Sequence, residues 1–237
     1  MKSALALDLL DGPLLVIAPH PDDETLGCGG VIAGAVRRGA VVHTIFITDG
    51  GASHLNSIQW SRQSLAAQRE REAAEALARL GAGAQPRTFL RLEDANMPGR
   101  DSAAYRQAVD AVLAIVKHLA PRLVLMPWRR DPHRDHRDSW QLTMDAIAAS
   151  GQRPEILEYA IWLDEFGRSD DRPGEGEMEQ VAFDVTAVLD AKRDAIKAHR
   201  SQLGELVHDD PSGFVLAQPT IERLTGPAEV FWRQCGQ

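Results

Sequence analysis

The sequence has few cysteines and no long apolar run, and both absences narrow the class of protein. Two cysteines, Cys28 and Cys235, are too few for the disulfide framework of a small secreted domain. No apolar run approaches the roughly 20 residues that span a bilayer. The first residues, MKSALALDLLDG, have too short an apolar part for a signal peptide, and Asp8 interrupts it early. We therefore expect a cytoplasmic protein that has no membrane partner.

Long basic segments are also lacking. The 26 Lys and Arg residues are scattered among 34 Asp and Glu residues, which gives a formal net charge of −8. Because a basic face is needed to hold a phosphate backbone, nucleic acid is not an expected partner. The 237 residues, 44% of them hydrophobic, are enough for one well-packed domain and short for two. We expect residues 1–237 to form a single domain. The sequence leaves undecided whether the chain forms a homo-oligomer.

Short apolar runs alternate with helical patterns over the first 150 residues, which is typical of βαβ units. Strands are predicted at 14–18, 41–48, 87–92 and 122–128. Helices are predicted at 24–38, at 57–80 with Ser57 as N-cap, at 102–119 and at 135–149. The run LLVIA at 14–18 has no polar alternation, as expected of a strand that is covered on both faces. The fold class is therefore predicted as α/β: a Rossmann-like, mostly parallel sheet with helices on both faces.

The pattern weakens after Gly151. Strands are expected within EILEYAIWL and VAFDV, and a helix is expected from Thr186 to about Arg200. The segment beyond His208 has no clear assignment.

Two clusters of histidine and carboxylate residues follow the first and fourth predicted strands. Their members are His20, Asp22, Asp23 and Glu24 in the first, and Asp131, His133, Asp135 and His136 in the second. In a sheet of order 3-2-1-4-5, the loops after strands 1 and 4 flank the crevice in which ligands bind. We therefore expect the two clusters to face each other across one site.

The composition of these clusters favours a metal site. Adjacent carboxylates such as Asp22 and Asp23 repel each other in a partly buried place, and a cation would offset that repulsion. A catalytic zinc needs three ligands from His and carboxylate groups and one position open to water. His20 and Asp23, with one histidine of the second cluster, would supply such a set. A remaining carboxylate would serve as general base, and a remaining histidine as electrophile or acid.

These motifs resemble those of the LmbE-like, or PIG-L, family of zinc-dependent N-deacetylases, which act on N-acetylglucosamine derivatives. The family's A-H-P-D-D-E motif corresponds to PHPDDE, and its H-x-D-H motif corresponds to HRDH at 133–136. Weaker matches are the R-x-x-E helix through Arg69 and Glu72, the FLRLEDANMP segment through Asp94, and H-x-S-Q at 199–202. The resemblance is strongest over residues 14–202.

The resemblance implies a role for eight residues. It implies that the metal ligands are His20, Asp23 and His136. It implies Asp22 as the general base and His133 as the residue that stabilises the oxyanion or protonates the leaving amine, with Asp135 as the partner of His133. Arg69 and Asp94 fall on sugar-contacting positions. The implied cofactor is one Zn²⁺ per chain, and another divalent metal is the alternative.

The implied reaction removes the N-acetyl group from an N-acetylglucosamine-type sugar conjugate, and gives acetate and a free amine. The partner is then a small amino-sugar conjugate, and the group attached to the sugar is left undefined. Two alternatives are kept. One is an amidase of the same family that cleaves another amide-linked conjugate, and the other is a non-catalytic carbohydrate-binding relative.

Several residues near these motifs have two interpretations. Arg129 and Arg130 either bind an anionic group of the substrate or are solvated. His199 either reaches the site or lies at the C-terminal end of a helix dipole. His54 adds a further histidine near the site.

The glycine cluster after the first strand only partly matches a dinucleotide-binding fingerprint. The segment GCGGVIAG carries Ile32 where the dinucleotide fingerprint needs a third glycine, so a nucleotide-binding oxidoreductase is disfavoured. Cys28 is expected to be a small buried residue rather than a further metal ligand.

Overall fold

The computed structural model, which describes residues 10–236, contains seven strands that join in one sheet. The strands are β1 Leu14–Ala18, β2 Val42–Thr48, β3 Arg87–Leu92, β4 Leu123–Pro127, β5 Glu155–Tyr159, β6 Met178–Asp184 and β7 Ala228–Gln234. Their order is β3-β2-β1-β4-β5-β7-β6. The first five strands pair in parallel, and β7 is antiparallel to both β5 and β6. The predicted mostly parallel α/β sheet is confirmed.

Helices cover both faces of this sheet. They are α1 Asp23–Arg37, α2 Arg62–Arg79, α3 Ala103–Leu119, α4 Arg134–Ser150, α5 Leu163–Phe166, α6 Leu189–Ile196 and α7 Gln218–Leu224. One core joins β1 to α1, α2 and α6, and a second core joins the opposite face of β1 to α3 and α4. Because both faces of β1 are covered, all five of its residues are buried and its sequence shows no polar alternation. Among the described residues, no helix has both the length and the apolar character needed to cross a bilayer.

The strand order reverses between β1 and β4. Strand β1 pairs with β2 on one side and with β4 on the other, so a crevice opens at the carboxyl ends of β1 and β4. Helix α1 begins directly after β1, and α4 begins shortly after β4. The two loops that carry the histidine and carboxylate clusters therefore flank the same crevice, as predicted.

Helix α2 begins later than the sequence pattern predicts. Its N-cap is Ser61, whose hydroxyl accepts a hydrogen bond from the N–H of Ser64 at 3.1 Å. The hydroxyl of Ser57 instead accepts from the N–H of Trp60 at 2.9 Å and donates to Asp209 at 2.7 Å. Ser57 therefore closes a turn before the helix, and its prediction as N-cap is wrong.

The C-terminal third differs most from the prediction. The helix expected from Thr186 to Arg200 is a 3₁₀ turn at 186–188 followed by the shorter α6. The segment beyond His208, which the sequence left unassigned, supplies α7 and β7. Strand β7 lies between β5 and β6 and so completes the sheet.

A buried ion pair ties β7 and α6 to α1. The Lys192 ammonium donates to Glu229 at 2.6 Å and to the carbonyl of Leu26 at 2.8 Å. The Glu229 carboxylate accepts from the N–H groups of Gly30 and Val31 at 2.7 and 2.8 Å. The carbonyl of Leu26 and the N–H of Gly30 are groups that an α-helix joins to each other. The ion pair thus inserts into the hydrogen-bond ladder of α1, with Lys192 1% and Glu229 5% exposed.

Candidate active site

A cavity of about 600 Å³ opens at the crevice between β1 and β4. Six of the eight predicted site residues line it, namely His20, Asp22, Asp23, Arg69, Asp94 and His133. The other two, Asp135 and His136, are buried beside these residues. The structure therefore brings all eight residues to one place, and the two clusters face each other.

The carboxylate of Asp23 lies between two histidines. Its Oδ2 atom is 3.2 Å from Nδ1 of His20 and 3.2 Å from Nε2 of His136. It also accepts the N–H of His20 at 2.9 Å. Ligand atoms on a tetrahedral zinc lie about 3.3 Å apart when each metal–ligand distance is about 2.0–2.1 Å. The two contacts of Asp23 have this spacing.

The ring of His136 supports the same interpretation. It is fully buried, and within residues 10–236 neither ring nitrogen has a hydrogen-bond partner of good geometry. Its Nδ1 lies 3.4 Å from Asp131, and its Nε2 faces the Asp23 oxygen. A buried imidazole nitrogen without a hydrogen bond costs free energy unless another ligand satisfies it. The unbonded nitrogens of His136, beside the Asp23 carboxylate, are therefore donors that a divalent cation could satisfy.

His20 links Asp23 to two further carboxylates. Its Nε2 atom is 3.2 Å from Asp94 Oδ1 and 3.2 Å from Asp135 Oδ2. Possible metal-ligand atoms of His20, Asp94 and Asp135 lie within 4.8 Å of one another. The same is true of His20, His133 and His136. A metal-binding histidine commonly donates its second ring nitrogen to a carboxylate, which fixes its tautomer and orientation. Asp94 and Asp135 are placed to do this for His20.

The contacts also set the charge of the histidines. Burial lowers the pKa of His20, but hydrogen bonds to Asp135, Asp23 and Asp94 raise it well above its usual value. Burial likewise lowers the pKa of His136, but Asp23 and Asp131 raise it to about 9. The His136 ring therefore holds a proton at neutral pH when no cation is bound. A divalent cation would supply the same positive charge and displace that proton.

Asp23 and its neighbour Asp22 have different environments. Burial raises the pKa of Asp23, but His136 and His20 hold it well below the usual range. Burial raises the pKa of Asp22, and although Arg69 lowers it, the net pKa is raised. Nη2 of Arg69 lies 2.9 Å from Asp22 Oδ2. The structure therefore separates two adjacent carboxylates: one is shared by histidines and the other is held by an arginine.

The loop after β2 fixes the arginine. Nη1 of Arg69 donates to the carbonyl of Gly50 at 2.9 Å, and Arg69 is only 3% exposed. Gly50 has a φ of +64°, and a Cβ there would lie 2.7 Å from Nη1 of Arg69 and 2.8 Å from Pro21. Glycine is therefore required at this position, because any side chain would displace Arg69.

His133 caps the first turn of α4. Its Nδ1 accepts the N–H of Asp135 at 3.2 Å, and its ring centroid is 4.7 Å from that of His20. The carboxylate of Asp135 contacts His20 and accepts the N–H of Ala95 at 2.8 Å. Asp135 thus reaches His133 through its main chain. Burial lowers the pKa of His133 to about 4, and the charges of His20 and His136 add to this effect.

Asp131 has a role that the sequence did not predict. One of its carboxylate oxygens accepts the N–H of His133 at 2.9 Å, and the other accepts the N–H of Trp162 at 3.2 Å. The oxygen that binds the N–H of His133 also lies 3.4 Å from His136 Nδ1. Asp131 therefore lies behind the His136 ring, on the side away from Asp23. Carboxylates in this position commonly orient metal-binding histidines. The position of Asp131 in the second cluster was the only signal for this role in the sequence.

Two of the three weaker sequence motifs contact each other beside the cavity. The Glu72 carboxylate accepts the hydroxyl of Ser201 at 2.6 Å and its N–H at 3.0 Å. Glu72 belongs to the R-x-x-E motif and Ser201 to the H-x-S-Q motif. This contact places the next residue, Gln202, on the cavity wall.

Arg129 and Arg130, for which the sequence left two interpretations, both form ion pairs. Arg129 forms an ion pair with Glu158, and Arg130 donates to Glu177 at 2.6 and 2.8 Å. Neither of these described residues lines the cavity. Their positions therefore give no support to an anion-binding role in the cavity.

The remaining candidates lie outside the cavity wall. His199 is buried, with Nε2 3.2 Å from the Thr25 hydroxyl and 3.7 Å from Glu24. Burial lowers its pKa to about 3, so the ring is neutral at pH 7. His54 is buried beside Ser53. Cys28 is a fully buried free thiol within α1, as expected.

Comparison with known proteins decides the family. The family model described as GlcNAc-PI de-N-acetylase, or PIG-L, matches residues 15–147. The chain belongs to this family. The matched residues run from β1 into α4 and include both histidine and carboxylate clusters. The resemblance to the PIG-L family inferred from the motifs is confirmed.

Individual deacetylases are similar over most of the chain. The 1D-myo-inositol 2-acetamido-2-deoxy-α-D-glucopyranoside deacetylase of Rhodococcus jostii is 31% identical, over 80% of this chain and 81% of its own. The diacetylchitobiose deacetylase of Thermococcus kodakarensis is 28% identical, over 81% of this chain and 70% of its own. The structure of N,N′-diacetylchitobiose deacetylase from Pyrococcus horikoshii, complexed with its inhibitor MPG, is similar with a TM-score of 0.62. It is 26% identical, covering 80% of this chain and 70% of its own.

Proposed function

We propose that the chain is a zinc-dependent N-deacetylase. It removes the N-acetyl group of an N-acetylglucosamine-type sugar conjugate and releases acetate and a free amine. The observation that carries this proposal is the single Asp23 oxygen shared by His20 and His136, with Asp22 held separately by Arg69. The relatives named as deacetylases of N-acetylated sugars support the choice of substrate.

The proposed cation would be held by His20, Asp23 and His136. When bound there, a divalent cation would polarise the amide carbonyl and lower the pKa of a water molecule. Asp22 lines the same cavity and accepts the proton of the attacking water. Its raised pKa brings its basicity nearer to the working pH, where a general base is most effective. Arg69 positions this carboxylate by the 2.9 Å contact.

His133 is proposed to act on the oxyanion and on the leaving amine. Because Nδ1 accepts a main-chain N–H, the neutral ring carries its proton on Nε2. That N–H can donate to the oxyanion as it forms and to the leaving nitrogen, to which Asp22 returns the proton taken from the water as the C–N bond breaks. The N–H of Asp135 fixes the tautomer of the His133 ring. We propose that Asp135 acts as the partner of His133 through this main-chain contact.

Asp94 and Arg69 are proposed to contact the sugar hydroxyls. Both line the cavity, and the loop between β2 and α2 holds Asp94 through the N–H of Ala52 at 2.8 Å. Arg69 then has two roles, since it also positions Asp22. A small amino-sugar conjugate is the proposed partner.

We also propose that residues 1–237 act as one deacetylase domain in the cytoplasm. The position of β7 inside the sheet supports a single domain, because the C-terminal segment completes the same fold. The free thiols of Cys28 and Cys235 support a reducing compartment.

Acetate release tests the proposed function. The purified protein is incubated with a panel of N-acetylglucosamine conjugates, with and without a chelator, and excess Zn²⁺ is then added back. We expect acetate release that the chelator abolishes and Zn²⁺ restores. Binding of the conjugates without acetate release would instead support a carbohydrate-binding relative. Hydrolysis of other amide conjugates, with none of these compounds cleaved, would support the amidase alternative.

A further inference from the structure

Three aromatic side chains stand at the exposed end of the cavity: Trp162, Phe166 and Phe214, here called the aromatic rim. The Trp162 ring centroid lies 5.8 Å from that of Phe166 and 5.7 Å from that of Phe214, the second pair nearly perpendicular at 88°. Phe166 is 68% exposed and Phe214 36%, whereas His20 and Asp23 are buried. Large apolar side chains left exposed beside a cavity commonly mark a binding surface.

The rim is held in place by the main chain. The N–H of Phe214 donates to the carbonyl of Ser53 at 2.7 Å, which fixes the segment around Phe214 to the loop after β2. The preceding residue must be glycine, because a Cβ on Gly213 would lie 2.1 Å from the His54 ring. On the other side, the N–H of Trp162 is bound by Asp131 at 3.2 Å. Two separate parts of the chain thus hold the rim beside the proposed catalytic residues.

The charges of the cavity disfavour an anionic group at the rim. Among the described residues that line the cavity, Arg69 is the one lysine or arginine, and it is paired with Asp22. Asp22, Asp23 and Asp94 all line the inner end. A phosphate or carboxylate on the substrate would therefore meet carboxylates and no unpaired arginine or lysine of the described lining.

The serine hydroxyls near the rim are already in use. The hydroxyl of Ser212 donates to Asp210 at 2.7 Å and accepts from the Asn56 amide at 3.0 Å. The hydroxyl of Ser53 pairs with Nδ1 of His54 at 3.0 Å and accepts from the amide of Gln202 at 3.2 Å. The amide oxygen of Gln202, also on the cavity wall, has no hydrogen-bond partner among the described residues and could accept one hydroxyl. A second sugar at the rim would still have to bury its other hydroxyls without the serine partners, which costs free energy.

We propose that the aromatic rim binds the group attached to the sugar, and that it selects a neutral, apolar group such as an aryl or alkyl aglycone. The inference rests on the proposed deacetylation, which places the N-acetylated sugar at the inner end of the cavity. The group attached to the sugar then extends to the rim. There the nearly perpendicular rings of Trp162 and Phe214 contact both a face and an edge of a bound ring.

The test compares kcat/KM for phenyl and octyl N-acetylglucosaminides with kcat/KM for N-acetylglucosamine, its 1-phosphate and N,N′-diacetylchitobiose. Burial of a phenyl-sized group predicts a preference of about ten- to hundredfold for the apolar conjugates. In Phe214→Ala this preference should fall about tenfold, and Phe214→Leu should keep most of it. Val41→Ala is the matched control, since Val41 is also exposed, at 45%, but lies just before the first residue of β2, at the end of that strand opposite the cavity. Equal kcat/KM values, or a preference for the phosphate or the disaccharide, would overturn the proposal.

A binding measurement separates this inference from the proposed function. The dissociation constants of phenyl N-acetylglucosaminide and N-acetylglucosamine are measured by calorimetry on wild-type and Phe214→Ala protein that carries Asp22→Asn. Tighter binding of the phenyl compound, lost with Phe214→Ala, supports the rim even if wild-type protein releases no acetate. If wild-type protein releases acetate but shows no such difference in binding, the proposed role of the aromatic rim is overturned and the proposed deacetylase activity is not.

Discussion

The structure has two clusters of buried charged residues beside α1: the Lys192–Glu229 pair and the His20–Asp23–His136 cluster. They differ in how completely their polar atoms are hydrogen-bonded. The ammonium of Lys192 has two acceptors, and each Glu229 oxygen accepts at least one donor at 2.6–2.8 Å. In the cluster, one Asp23 oxygen serves two histidines at 3.2 Å. The nitrogens of His136 have no hydrogen-bond partner of good geometry within residues 10–236.

This difference separates charged residues that stabilise the fold from charged residues that form a candidate site. A buried ion pair with all its hydrogen bonds made is already complete, and it fixes β7 and α6 against α1. A buried cluster with a shared oxygen and unbonded nitrogens is incomplete, and the proposed cation would supply what it lacks. Variants should therefore affect stability in the first region and metal binding or catalysis in the second.

The largest effect is expected for Asp22→Asn. The amide keeps the size of the side chain but removes its basicity, so turnover should fall by roughly two to four powers of ten. The rate of acetate release on the best conjugate of the panel measures this effect, and the unfolding midpoint serves as control. A rate within a few-fold of wild type would show that Asp22 is not the general base.

Lys192→Met should have the largest effect on stability. It leaves the Glu229 carboxylate buried without its cation, and loss of one partner of a buried pair costs about 3–5 kcal/mol of unfolding free energy. Denaturant unfolding measures this loss. The double variant Lys192→Met, Glu229→Gln should recover part of it, because no unpaired charge is left. A double variant less stable than Lys192→Met would contradict this comparison, as would a loss of metal in Lys192→Met.

The pH dependence of metal affinity should show the proton on His136. Its pKa of about 9 means that the metal-free ring holds a proton at neutral pH, whereas a metal ligand must be neutral. Apparent affinity should therefore rise with pH by about tenfold per pH unit for each proton displaced, and level off above about pH 9. Competition with a chelator at a series of pH values measures it. Asp131→Asn removes one cause of the raised pKa, so the rise should level off at a lower pH. Levelling off at the wild-type pH would argue against a role for Asp131.

The smallest effect is expected for Ser201→Ala. It removes the hydroxyl that donates to Glu72 at 2.6 Å but keeps the main-chain N–H that donates to the same carboxylate. A loss of about 1–2 kcal/mol in unfolding free energy is expected, with unchanged metal content. Denaturant unfolding and metal analysis of the same sample check both. Loss of metal would place Ser201 in the incomplete cluster rather than in its support.

The sequence predicted the parallel half of the sheet and the members of the site, for local reasons. The apolar run of β1 and the motifs that follow β1 and β4 lie on continuous stretches of chain, and β1 has the predicted bounds. Strand β7 was missed because Glu229 faces inward to Lys192, so AEVFWRQ does not alternate as a half-buried strand should. Phe214 was missed because its place depends on a hydrogen bond to Ser53, which no local pattern encodes. The roles of the site residues stay predictions.

Metal content of Asp22→Asn and Asp23→Asn, measured beside the rate of acetate release, tests most directly whether Asp23 holds the cation while Asp22 acts as base. We expect Asp22→Asn to keep about one divalent ion per chain, as wild type does, while its turnover falls. Asp23→Asn should lose most of its metal, and excess Zn²⁺ should restore part of its activity. The opposite result, with metal lost from Asp22→Asn and kept in Asp23→Asn, would contradict this assignment of the two neighbouring carboxylates.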